Sequence, residues 1–195
     1  MRVIAGTAGG LNLSSPKQGG LELRPTQDKI RGAIFSMLGD AVLDAVALDL
    51  FAGTGSLGIE ALSRGAAHAS FVEQNSICCQ ALKKNLSFTK LEGKASLYRQ
   101  DVFSFLRQTQ HSFNLVLADP PYYKGRLPDD LREAESFYEN LFCAVFDRLD
   151  EGGLFVFEFY VPTRPKSLGA FDCLRDKKYG ETGVWLLQKP HTKQD

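Results

Sequence analysis

The chain has 195 residues, 44% of them hydrophobic and 24% charged, with a formal net charge of zero. These values exclude a disordered or fibrous chain, leave room for one sizeable core, and argue against an avid, non-specific nucleic-acid binder. No apolar run is long enough to span a bilayer, and Met1-Arg2-Val3-Ile4-Ala5-Gly6 lacks the apolar core of a signal peptide, so the cytoplasm is the expected location.

In chain order, Arg2 to Ala5 and Leu11 to Leu13 flank Gly6 and Gly9-Gly10 and predict a small hairpin. Ser14 to Gly20 reads as a loop. Thr26 is a candidate cap for a helix running to about Leu38, with Ile30, Ala33, Ile34 and Met37-Leu38 on its apolar face. From Val46 the pattern alternates between strand and helix. Strands are expected at Val46 to Leu50, Ala69 to Val72, Ala95 to Tyr98, Phe113 to Ala118 and Leu154 to Phe159. Helices are expected at Leu57 to Arg64 (closed by Gly65), from Asn75 to about Leu86, at Val102 to Gln108, and at Glu135 to Leu149. Extended segments on either side of Tyr179-Gly180 predict a closing hairpin ending in Val184 to Gln188. Alternating strands and helices imply an α/β fold, a mostly parallel sheet covered on both faces, with the last hairpin as an antiparallel edge. A single domain over residues 1–195 is expected, with 1–25 as its N-terminal hairpin extension.

The four cysteines, Cys78, Cys79, Cys143 and Cys173, form no Cys-x-x-Cys pair and read as reduced, mostly buried thiols. With three histidines, none beside a cysteine pair, no metal site is expected. An acidic segment (Asp129, Asp130, Glu133, Glu135, Glu139) and two basic ones (Lys83, Lys84, Lys90, Lys94; Arg164, Lys166, Arg175, Lys177, Lys178) each read, taken singly, as a solvated face.

Asp49-Leu50-Phe51-Ala52-Gly53-Thr54-Gly55-Ser56-Leu57-Gly58 contains Gly-x-Gly-x-x-Gly between a strand and a helix, the setting in which that pattern cradles a nucleotide cofactor. Gly53 and Gly55 permit tight turning and close backbone approach. Glu73 closes the next strand, about 20 residues on, and can hold both hydroxyls of a ribose, with Gln74 beside it. A nicotinamide dinucleotide fits this loop almost as well as S-adenosylmethionine. Asp49 favours the latter: a diphosphate prefers amide donors, whereas an ammonium and a sulfonium prefer a carboxylate. A capping or structural role for Asp49 stays open. Asp101 can accept from an adenine amine while Val102 packs the ring, although Asp101 is equally suited to cap a helix.

The second motif is Asp119-Pro120-Pro121-Tyr122, at the carboxyl end of the Phe113 to Ala118 strand. An exocyclic amine on a nucleobase is a poor nucleophile, because its lone pair is delocalised into the ring. The Asp119 carboxylate and the Pro120 carbonyl can each accept one amine hydrogen, and prolines fix the backbone without a competing N–H. Tyr122 can stack on the base. Lys124 and Arg126 follow and can reach phosphates, or serve as ordinary loop charge. If the first and fourth strands of the series are neighbours, both motifs line one crevice.

With these motifs in view, the sequence resembles the bacterial methyltransferases that modify guanine 966 of small-subunit ribosomal RNA at N2. The resemblance covers nearly the whole chain. It rests on Arg2-Val3-Ile4-Ala5-Gly6, on Leu23-Arg24-Pro25-Thr26-Gln27-Asp28-Lys29-Ile30-Arg31, on the run Leu48 to Ala66, on Phe71-Val72-Glu73, on Ala118 to Tyr122, and on Lys178-Tyr179-Gly180. It implies a Rossmann-like class I methyltransferase with S-adenosylmethionine as cofactor. The implied partner is 16S ribosomal RNA in a partly or fully assembled small subunit, without metal or membrane, and a monomer is expected. Arg2, Arg24, Thr26 and Arg31 are RNA-contact candidates, with a capped surface helix as the plainer reading of the last three. Where the family often carries basic residues after the first glycines, this chain has Gly9-Gly10-Leu11-Asn12. N6-methylation of DNA adenine is the alternative within enzymes, and the short stretch from Tyr122 to Glu135 counts against a duplex-scanning enzyme. A nicotinamide oxidoreductase and a non-catalytic assembly factor are the remaining readings.

Overall fold

The computed structural model describes residues 1–15, 25–120 and 131–192, with backbone alone at 25–27 and 131. Helix α1 spans Pro25–Leu38. Strand β1 (Val46–Leu50) then starts a series with α2 (Ser56–Ser63), β2 (His68–Val72), α3 (Ser76–Thr89), β3 (Ala95–Tyr98), α4 (Val102–Gln108), β4 (Phe113–Ala118), α5 (Leu131–Phe146) and β5 (Leu149–Tyr160). Strands β6 (Asp172–Tyr179) and β7 (Thr182–Gln188) close the chain. The seven strands form one sheet in the order β3-β2-β1-β4-β5-β7-β6. The first five in that order are parallel; β7 runs antiparallel to both β5 and β6. The order reverses between β1 and β4, so their carboxyl ends diverge into a crevice, the usual ligand site of such sheets.

Two apolar layers cover the sheet. Ile30, Ile34, Phe35 and Leu38 of α1, with Leu57 and Ile59 of α2, pack on one face against Ala47, Leu115, Leu117 and Val184. On the other face, Phe105, Tyr138, Leu141, Phe142 and Val145 pack against Leu48, Leu50, Val116, Phe155 and Phe157. In β1 only Val46 is exposed and the next four residues are buried, as expected for a central parallel strand covered on both sides.

The N-terminal hairpin is compact: Val3 N donates to Leu11 O (2.9 Å), and Gly10 N to Val3 O (2.9 Å). It is seated on the end of α2, where a Cβ at Gly6 (φ +80°) would lie 1.8 Å from the Ser63 carbonyl oxygen. Only glycine permits that approach. Ile4 N and Ala5 N donate to the fully buried Glu60 carboxylate, at 2.8 and 3.1 Å.

Four expectations need correction. α1 begins at Pro25, so Thr26 lies inside the helix rather than capping it; proline suits a first turn because its missing N–H would be unpaired there anyway. α3 continues to Thr89, ended by Lys90 in the left-handed region (φ +57°). α5 stops at Phe146, and Leu149 opens β5 by pairing with Phe113. The turn-rich Asp150-Glu151-Gly152-Gly153 hides that strand start, because Gly152 takes φ +74° within the extended run. Lastly, of the four free thiols only Cys79 is buried; Cys143 and Cys173 are exposed and Cys78 is intermediate.

Candidate active site

The crevice is built from three strand ends. After β1, the chain folds back through Phe51, Gly53 and Gly55, all with positive φ (+57°, +54° and +87°). Phe51 is a non-glycine in the left-handed region, a conformation that costs about 1–3 kcal/mol and tends to occur at functional sites. Its ring packs near Phe137, centroids 6.1 Å apart. Ala52 N donates to Val72 O at 3.1 Å, which folds the loop across the end of β2. Above Gly53 there is open space, since a Cβ there would meet only the Phe51 carbonyl oxygen at 4.0 Å. Gly55 differs: a Cβ would lie 2.1 Å from Leu82 Cδ1, so this glycine serves packing as well as the turn.

Glu73 braces the loop from β2. One carboxylate oxygen accepts from Gly53 N (2.8 Å) and the other from Asn75 N (2.7 Å). Asn75 in turn caps α3 by accepting from Ile77 N and Cys78 N. Asp101 accepts from Ser104 N (2.9 Å) as the cap of α4; its side chain is exposed and Val102 is buried behind it. Gln74 is exposed beside Glu73.

Asp49 lies at the bottom of the crevice, 2% exposed, with Oδ2 accepting from Gly58 N at 2.8 Å. That bond gives Asp49 the structural role that the sequence left open, at the start of α2. Gly58 is required here, because a Cβ would lie 2.3 Å from the Phe71 ring and 3.0 Å from Asp49 Oδ2. Burial pushes the Asp49 carboxyl up from its ordinary 3.8 to about 7; the Gly58 N–H pulls it back in part, and the negative charges of Asp119 and Glu73 push it further up. The site thus concentrates negative potential at a buried group, an arrangement that a cation relieves.

Asp119 follows β4, one step beyond the Leu50–Ala118 pair that joins β4 to β1. It is half-buried and Pro120 is buried. The first and fourth strands are neighbours, so Asp49, Phe51 to Gly55, Glu73 and Asp119 share one crevice. Pro121, Tyr122, Lys124, Arg126 and Arg24 lie outside the described residues, as does the side chain of Thr26. Arg2 is exposed on the hairpin.

Arg31 requires a correction. It is 3% exposed, and its guanidinium bonds to Asp28 (2.9 Å) and to the Arg2 carbonyl, and lies 3.5 Å from Glu60. It clamps the hairpin to α1 and α2 and presents no charge to an RNA strand. The helical apolar stripe around Ile30 and Ile34 explains this, since Arg31 sits beside Ile30 on the inward side.

Two supporting residues escaped the sequence reading. Asn85, 1% exposed on α3, donates to Thr54 O (2.9 Å) and Ser14 O (3.0 Å) and accepts from Ser14 N (2.7 Å). It ties the glycine loop to the N-terminal segment. Glu60 gathers Ile4 N, Ala5 N, Arg31 and Arg64 Nε (2.7 Å). The available signals were an amide in the stripe Leu82, Asn85, Leu86, Thr89 and a lone acid in the apolar run Leu57 to Leu62.

Comparison with known proteins adds the family. A model described as Conserved hypothetical protein 95 matches residues 1–188. Ribosomal RNA small subunit methyltransferase D of Escherichia coli (strain K12) is 40% identical over 192 residues, spanning 97% of this chain and 90% of that protein. YlbH of Bacillus subtilis (strain 168) is 35% identical over 193 residues, spanning 97% and 99%. The solved structure of yhhF from Escherichia coli superposes with a TM-score of 0.80 at 31% identity, covering 97% of this chain and 98% of that one.

Proposed function

Since the chain belongs to the Conserved hypothetical protein 95 family, with ribosomal RNA small subunit methyltransferase D among its relatives, we propose that it methylates ribosomal RNA of the small subunit, using S-adenosylmethionine. The finer reading is transfer to the exocyclic N2 amine of a guanine, guanine 966 of 16S RNA, within a partly or fully assembled subunit. The enzyme works as a cytoplasmic monomer of one domain.

One observation carries the reading. Buried Asp49, with Glu73 and Asp119 close enough to raise its affinity for a proton, forms a negative well between the glycine loop and the end of β4. An ammonium-bearing sulfonium fits that well, whereas a diphosphate would be repelled by it. When bound, S-adenosylmethionine supplies an electrophilic methyl group on a positively charged sulfur. Asp49 and the loop amides hold the amino-acid end, Glu73 the ribose and Asp101 with Val102 the adenine. Each Glu73 oxygen accepts one backbone N–H and keeps a second lone pair for a ribose hydroxyl. Asp119 and the Pro120 carbonyl accept the two hydrogens of the guanine amine, turning its lone pair toward the methyl group. Tyr122 stacks on the base. Asp119 would stabilise the positive charge that develops on the amine as it takes the methyl group, and Asp119 or water would accept the surplus proton. The target base must be unstacked to reach Asp119.

The test is methyl transfer from labelled S-adenosylmethionine to small ribosomal subunits lacking the modification, followed by nucleoside analysis. Label in N2-methylguanosine supports donor, atom and substrate class together. Label in N6-methyladenine of offered DNA, with none in the subunits, overturns the substrate assignment.

A further inference from the structure

We infer that β6, the edge strand of the sheet among the described residues, is the surface that grips the phosphate backbone of the substrate RNA, through Arg175, Lys177 and Lys178. This rests on the methyltransferase reading above, and it departs from the view of this basic run as a merely solvated face.

The topology divides the molecule. The cofactor candidates Asp49, Glu73 and Asp101 belong to the ends of β1, β2 and β3, on one side of the strand-order reversal. Asp119 ends β4, and the sheet continues away from the cofactor side as β5, β7 and β6. An RNA whose base enters at Asp119 therefore lies over this second half. β6 runs antiparallel to β7, which is antiparallel to β5, so β6 points the same way as β4 and β5. Lys177 and Lys178 stand at its forward end, toward the crevice. Three strand spacings separate β4 from β6, roughly 14 Å, a distance that a few nucleotides span.

Residues Asp172 to Lys178 are all exposed. Arg175 pairs with Leu186 and Lys177 with Val184, whose side chains enter the core that α1 covers; Lys178 pairs with Gly183 and faces the opposite way. The cations thus flank both sides of a projecting edge. Arg175 and Lys177 are two residues apart, about 7 Å along the strand, a separation that neighbouring phosphates can meet. Of the two acids on β6, Asp172 opens the strand at the end away from the crevice, and Asp176 is answered by Arg164 at 2.6 Å, whose guanidinium also lies over the Trp185 ring (5.1 Å). Asp176 therefore subtracts little from the positive field. Glu181 stands at the hairpin tip, where Tyr160 Oη donates to it at 3.5 Å, and it marks the limit of the basic surface.

Lysines on an edge strand also guard against strand-to-strand aggregation. Charge reversal separates the two roles, because a glutamate protects an edge as well as a lysine does but repels phosphate. The test is equilibrium binding of the full chain to unmodified small subunits across a salt series. It compares wild type with the triple variant Arg175→Glu, Lys177→Glu, Lys178→Glu. The variant is expected to bind at least about tenfold more weakly, with its log–log salt slope reduced by about 2, near 0.7–0.9 per lost phosphate contact. Melting temperature and S-adenosylmethionine affinity should match wild type. Unchanged subunit affinity overturns the inference, as does weaker binding with an unchanged salt slope, or a wild type that does not bind subunits at all. Binding is read without turnover. A wild type that binds through β6 yet places no label in guanine would instead count against the catalytic reading alone.

Discussion

Replacing Asp49 by asparagine tests the electrostatic design of the crevice. The carboxyl is buried and bonded to Gly58 N, and its pKa stands at about 7 against an ordinary 3.8. A folded-state value raised above the unfolded one means that the folded protein holds a proton which the unfolded chain releases. The associated stability is fully present below pH 3.8 and is lost as pH rises toward 7. A rise of that size corresponds to about 4 kcal/mol. The amide that replaces the carboxyl in Asp49→Asn keeps an acceptor for Gly58 N and carries no charge. In urea melts of the cofactor-free protein at about pH 5, 6, 7 and 8, wild type should lose stability relative to Asp49→Asn, and the difference should level off above about pH 7. Parallel curves would show that Asp49 is already ionised at low pH, so that burial and the neighbouring carboxylates do not raise its pKa. The ligand side has the opposite sign: a cationic cofactor binds the ionised carboxylate. Wild-type affinity for S-adenosylmethionine should weaken about tenfold per unit as pH falls below about 7, with proton release on binding, and Asp49→Asn should lose that dependence. Calorimetry in two buffers of different ionisation enthalpy measures the released proton directly.

Asp119→Ala should lower the rate of methyl transfer at saturating cofactor by at least about a hundredfold in a protein that still folds, since the group acts on the developing charge; single-turnover labelling reads it. Asn85→Ala removes three hydrogen bonds from a buried amide and leaves Thr54 O and both Ser14 groups without that partner, so it should cost about 2–3 kcal/mol in chemical denaturation. Gly55→Val introduces a Cβ at 2.1 Å from Leu82 with φ at +87°, so any loss of cofactor binding should be accompanied by a lower melting temperature; lost binding at full stability would place the glycine at the ligand instead of the core.

Much of the fold was legible from periodicity. β1 to β4 and α4 lie close to where alternating apolar strands and helical stripes predict them, because each depends on local pattern and on burial against a covered sheet. Asn75 and Asp101 cap the helices that follow them, as their type and position imply. The errors fell where a local signal competed with a tertiary one. Leu149 reads as the tail of an amphipathic helix, yet pairing with Phe113 draws it into β5. Arg31 reads as a surface cation, yet Glu60 and the Arg2 carbonyl hold it inside.

Sequence alone singled out the candidate site residues: a glycine loop with Asp49 at its root, Glu73 one strand on, and Asp119-Pro120 after the fourth strand of the series. Their types and their places at strand ends follow from short-range pattern. Only the tertiary structure decided that β1 and β4 are neighbours, that Asp49 is shut away from water with two carboxylates nearby, and that Glu60 and Asn85 bind the N-terminal segment to this frame. The bonds of Glu60 and Asn85 to the N-terminal segment join residues 55 to 71 positions apart in the chain, and the other facts likewise depend on approaches between distant residues. Burial and Coulomb interaction are set by distance in space, which local periodicity does not encode.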